Sequence, residues 1–69
     1  MTITNFPASF TYVNAMNVPK KLVVYASNEA GKYPVTLWEM VHGEFCGNGE
    51  MTREKLNEYF EHYGINDRV

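Results

Sequence analysis

The chain has 69 residues, room for one small domain. Six basic against eight acidic side chains leave a formal charge of −2, and 45% hydrophobic with 14% aromatic residues is too apolar and too weakly charged for a disordered tail. One cysteine excludes an intramolecular disulfide, and a domain this small buries only roughly 60% of its unfolded surface, so its stability margin is thin.

No charged segment leads into a signal-like apolar run. The first basic residue after the initiator is Lys20, and the longest apolar run covers residues 22–26. Neither secretion nor a membrane span is expected, which points to the cytoplasm. The charge is uneven: residues 1–28 carry Lys20 and Lys21 and no acid, whereas residues 29–69 carry eight acids against Lys32, Arg53, Lys55 and Arg68. Two lysines are too few to track a phosphate backbone, so no direct nucleic-acid contact is expected.

In chain order, residues 5–7 read as irregular and residues 9–16, with Phe10, Thr11, Tyr12 and Val13, as a strand. Leu22, Val23, Val24 and Tyr25 form a β-branched and aromatic strand between Pro19 and the polar turn at 27–32. Residues 35–41 form a third strand. A short helix between Pro34 and Gly43 is the alternative, because a short apolar run suits either. His42-Gly43 then makes a two-residue hairpin turn into Glu44-Phe45-Cys46, and Asn48-Gly49 makes a second turn before the helix.

The helix at 53–63 has the strongest local signals. Thr52 is its N-cap, and Met51 and Leu56 have hydrophobic-staple spacing. Leu56, Tyr59, Phe60 and Tyr63 make one apolar face. Gly64 supplies a left-handed C′ residue, and Ile65 folds back on Phe60. The expected fold is α+β: an antiparallel meander of three to four short strands with one C-terminal helix packed on one face.

One helix covers one face of such a sheet. Strand alternation puts Val35, Leu37, Glu39 and Val41 on one side and Thr36, Trp38, Met40 and His42 on the other, so both sides are apolar. The second side needs a cover. Three are open: the N-terminal segment through Phe6 and Phe10, a second copy of the chain, or a foreign partner anchored on Trp38 and Met40.

Catalytic and metal signals are weak. His42, Cys46 and His62 fall short of a four-ligand zinc set, and no paired-cysteine motif occurs. A Cys46–His nucleophilic pair would need an oxyanion hole and a cleft that so small a domain has little room to build. Gly47-Asn48-Gly49 lacks the third glycine of a phosphate loop, since Thr52 occupies its place. No cofactor and no enzyme activity are expected. Glu54, Glu58 and Glu61, with Glu50 upstream, form an acidic row at helical spacing. Such a row can meet a basic groove or simply face water.

The segments Trp38-Glu39-Met40-Val41-His42-Gly43-Glu44-Phe45 and 52–64 give a strand–hairpin–helix layout without catalytic motifs. This layout resembles small phage-encoded inhibitors of bacterial host defence, some anti-CRISPR proteins among them. The resemblance implies occupation of a partner surface on a larger complex, in the cytoplasm of the host cell. The first reading is therefore a non-enzymatic inhibitor or modulator of a larger protein or nucleoprotein complex. Its candidate contact residues are Trp38, Met40, His42, Glu54, Glu58 and Glu61. The alternative is a small homodimeric structural or regulatory domain.

Overall fold

The computed structural model describes residues 2–69. The elements are β1 (Ala8–Val13), β2 (Pro19–Val24), β3 (Lys32–Glu39), β4 (Phe45–Thr52) and α1 (Arg53–His62). The four strands form an antiparallel sheet in the order β1-β2-β3-β4, with α1 directly after β4. This is the α+β meander that the sequence predicts, and the third element is strand rather than helix.

Helix boundaries follow the local signals. The Thr52 hydroxyl accepts a hydrogen bond from the Lys55 N–H at 3.2 Å. At the other end Gly64, at φ 70°, lets its N–H reach the Glu61 carbonyl and the Ile65 N–H reach the Phe60 carbonyl at 2.8 Å. That pair of bonds is the Schellman closure.

Strand boundaries depart from expectation. β2 starts at Pro19 rather than Leu22 and ends at Val24, and β3 starts at Lys32 rather than Val35 because its pairing with β4 extends to Thr52. Three further departures have local causes. β1 stops at Val13, because the Asn14 side-chain oxygen accepts the N–H groups of Met16 and Val18 and turns the chain before residue 16. β3 stops at Glu39, so Met40, Val41 and His42 belong to the turn and the connection is longer than His42-Gly43 alone. Asn48-Gly49 is no turn: Asn48 lies opposite Thr36 and Gly49 opposite Val35 inside β4. Pairing with β3 overrides the turn composition there. A register shift between Leu37 and Trp38 brings Phe45 opposite Trp38 and leaves Cys46 as the extra residue of a bulge.

The register sorts the side chains. Phe10, Leu22 and Leu37 lie in one cross-strand row, and Val24 and Val35 in the next, all on the side that α1 covers. Leu22, Val24, Leu56 and Phe60 are fully buried. The Phe10 and Phe60 rings pack at 4.9 Å. The Tyr12 ring lies 4.2 Å from Tyr63 and stands edge-on to Tyr59 at 5.7 Å, and the Tyr12 and Tyr59 hydroxyls share a hydrogen bond. The C-terminal residues close the same layer. The Asn57 amide oxygen accepts the Val69 N–H at 2.8 Å, the Arg53 Nε donates to the Val69 main-chain oxygen at 2.9 Å, and Val69 is buried.

The N-terminal segment joins this side as well. Phe6 packs on Tyr33 at 6.0 Å, Ile3 packs on the core, and the Ile3 N–H donates to the Arg68 carbonyl. Phe6 and Phe10 therefore do not cover the second face of the sheet, contrary to the first of the three coverings considered. The chain reaches the helix side because its apolar partners, Tyr33 and Phe60, are there.

Two outcomes follow from this core. Phe60→Ala empties the centre of the layer and should cost about 3–5 kcal/mol, enough to abolish a cooperative thermal melt in so small a domain. Burial raises the pKa of both Tyr12 and Tyr59. At Tyr12 the hydroxyl–hydroxyl bond partly offsets it, and at Tyr59 the same bond adds to it. Both folded-state values thus exceed the unfolded one, 10.0. Stability from the pair is complete below that pH and is lost as pH rises through the folded-state values. Circular dichroism across the alkaline range should show unfolding that begins near the unfolded value and a shallower limb in Tyr59→Phe. Equal alkaline limbs in parent and variant would refute the assignment.

Candidate functional site

The side of the sheet opposite α1 carries Thr11, Lys21, Trp38 and Phe45 in one cross-strand row and Ser9, Val23, Thr36 and Asn48 in the next. Trp38 is half-buried, and its ring meets Phe45 edge-on at 5.2 Å. The Lys21 ammonium lies 5.7 Å from the centre of the indole, within cation–π range. The indole N–H donates to the Thr36 hydroxyl at 3.0 Å. That bond matters for docking: Trp38 already has its acceptor, so an apolar partner surface can cover the ring without orphaning a donor.

Beyond this row the sheet ends in two turns, β1–β2 and β3–β4. Val13, Met16, Met40, Val41 and Phe45 are all exposed at this end, with Met16 at 83% and Val41 at 65%. The β3–β4 turn is held by Glu39. Its carboxylate accepts the N–H groups of Val41 and His42 and lies 3.2 Å from the His42 Nδ1. This clamp presents Met40, Val41 and His42 outward. Phe45 and Lys21 are the members of the surface that sequence reading misses. The bulge at Cys46 shifts the strand parity and puts Phe45 beside Trp38. Val41, placed on the covered side by simple alternation, projects from the turn instead.

The six predicted contact residues fall into two groups. Trp38, Met40 and His42 share the open face and its turn. Glu54, Glu58 and Glu61 are exposed on α1, which packs on the other side of the sheet. One flat partner surface cannot meet both groups.

The remaining candidates stay apart. Cys46 is exposed, and its sulfur lies 3.6 Å from the Lys20 ammonium. His62 stacks edge-on to Tyr63 at the end of α1. Among the described residues no three His, Cys, Asp or Glu side chains gather as a metal site, and no helix is long and apolar enough to cross a membrane. Gly47-Asn48-Gly49 lies within β4 as extended strand paired with β3, so it is not a loop that could wrap a phosphate. Comparison with protein-family profiles, curated proteins and solved structures finds no match to the chain.

The turn clamp has a pH signature. Desolvation raises the Glu39 carboxyl, but the N–H groups of His42 and Val41 and the His42 ring outweigh it, leaving the carboxyl below its ordinary 4.5. The clamp is intact above the ordinary value and is lost as pH falls through the depressed one. In an NMR titration the Val41 and His42 amide protons should move with the Glu39 carboxyl at a midpoint under 4.5, and Glu39→Gln should abolish the transition. Amide shifts that ignore the Glu39 midpoint would sink the clamp.

Proposed function

We propose that the chain is a non-enzymatic binding protein. Its open sheet face, from Lys21, Trp38 and Phe45 out to Met40 and His42, docks on a larger protein or nucleoprotein complex and modulates it. The observation that carries this reading is a half-buried Trp38 with its N–H satisfied from within, on a face that neither α1 nor the N-terminal segment covers. Aromatic and methionine side chains of this kind supply the centre of protein interfaces, where a few buried anchors carry most of the energy. The resemblance of this layout to phage-encoded inhibitors of host defence makes a bacterial CRISPR-Cas effector complex the first partner to test. The acidic row on α1 lies across the sheet from this face, so it contributes long-range steering at most, and salt screens that over about 8–10 Å.

The test is binding and inhibition with purified effector complexes. Phe45 is 53% exposed, so Phe45→Ala leaves the core intact. It should weaken binding by about 30-fold, equivalent to loss of a ~2 kcal/mol anchor. Glu54, Glu58 and Glu61 changed together to lysine should leave the affinity within a few-fold. If the triple reversal abolishes binding while Phe45→Ala does not, the docking surface is the helix and not the sheet. Sedimentation of the free protein distinguishes the competing occupant, a second copy of the chain, which would give a dimer whose formation Phe45→Ala prevents.

A further inference from the structure

β4 is an edge strand. It pairs with β3 on one side, and no strand of the described residues pairs with its other side. Its main-chain donors and acceptors on that side are available to an added strand. On the side facing α1, β4 presents Gly47 and Gly49, in register with Leu37 and Val35. A Cβ built on either glycine meets nothing within 4 Å. The missing side chains leave a slot of about 270 Å³ between strand and helix, lined by Leu22, Val35, Leu37, Met51 and Tyr59. It shares Met51, Tyr59 and Glu50 with a larger cavity of about 690 Å³ walled by Lys55, Glu58 and His62 of α1. A free edge, an adjoining apolar slot and a helix wall together make the arrangement in which extended peptides are bound by strand addition.

Charge selects the occupant. On the face away from α1, where alternate residues of an added strand would lie, the one charged side chain of β4 is Glu50. Glu50, on the face away from the helix, accepts a hydrogen bond from the Asn28 amide and forms no ion pair within 4.0 Å among the described residues. In an added strand, alternate residues face alternate sides. Those opposite Gly47 and Gly49 would enter the apolar slot, and those opposite Asn48 and Glu50 would lie on the other face, where Glu50 supplies the charge. We infer that the β4 edge and the slot beside it bind an extended peptide of a partner protein, alternating apolar with basic residues and added as a fifth strand. A second copy of the chain fits less well. An antiparallel β4–β4 pair puts both helices on one face, so over this stretch the second copy offers its own glycines, and its Met51 is already packed on its own core.

The probes are three heptapeptides, acetylated and amidated, with lysine at the odd positions and valine, leucine or phenylalanine at the even ones. Isotope-labelled protein should show amide shifts at residues 47–51 and along α1 with at least one of them. Asn48 and Glu50 hold the unpaired main-chain groups of this edge, since Gly47 and Gly49 bond to β3. N-methylation of two successive nitrogens that face β4, at odd positions in an antiparallel complex and at even positions in a parallel one, should therefore abolish those shifts. Gly49→Val fills the slot at a position without a left-handed φ, so it keeps the fold and should weaken binding about tenfold or more. Replacing lysine by glutamate in the peptide should do the same. The inference is overturned if no peptide shifts β4 at millimolar concentration, if the shifts map to Trp38 and Phe45, or if a folded Gly49→Val binds as the parent does. Concentration-dependent shifts at 47–51 without peptide would give the edge to a second copy and overturn it too.

Discussion

Everything in this molecule depends on one covering: α1, of ten residues, lies on one side of a four-stranded sheet. Leu56 and Phe60 are the two helix side chains that reach the interior, and they meet Leu22 and Val24 of β2. Fully burying such a side chain is worth about 1.5–3 kcal/mol, so these four groups rival the whole net stability of a small domain. The other contacts serve to keep the helix seated. Thr52 fixes where it starts, the Gly64 turn fixes where it stops, and Asn57 and Arg53 tie Val69 back against it. The aromatic rings of Phe10, Tyr12, Tyr59 and Tyr63 extend the layer towards the β1 edge.

Spending the apolar N-terminal residues on that same layer decides what the other face is. With Phe6 on Tyr33 and Phe10 on Phe60, no apolar side chain of the described N-terminal segment lies over Trp38. The face is therefore built to be stable while partly wet. Trp38 leans on Phe45, hydrogen-bonds Thr36 and takes Lys21 over its ring. Each of these contacts is on the sheet itself, so the ring is oriented before any partner arrives. Holding an aromatic anchor in place in the free protein reduces the ordering cost of binding.

How much of this was legible depends on the range of the interactions. The helix was readable almost to the residue, because cap, staple, apolar face and glycine stop all act within a few positions. β4 was not. Gly47-Asn48-Gly49 has turn composition, and only its register against Thr36, Val35 and Leu37 makes it strand. Local composition carries no trace of that register. The end of β3 failed for a related reason: Val41 has strand propensity, but the Glu39 carboxylate takes its N–H and draws it out of the ladder. The apolar character of both sheet faces was visible from alternation. That the acidic row sits across the sheet from Trp38 was not, since it requires knowing which face the helix takes.

The glycines of β4 raise a last physical question. In a strand interior glycine costs roughly 0.5–1 kcal/mol, and in a domain with a thin margin two of them are a large concession. Gly49 has neither a left-handed φ nor a neighbour that a side chain would strike. A valine there would gain strand propensity and cover Leu22, Leu37 and Tyr59. The rest of the edge is defended: the bulge at Cys46 twists its upper part away from flat pairing, and Glu50 places a charge near its lower part. Only the short stretch between these two guards is both smooth and backed by an apolar slot. Under the proposed strand addition, that gap is the stretch an added peptide of limited length would occupy.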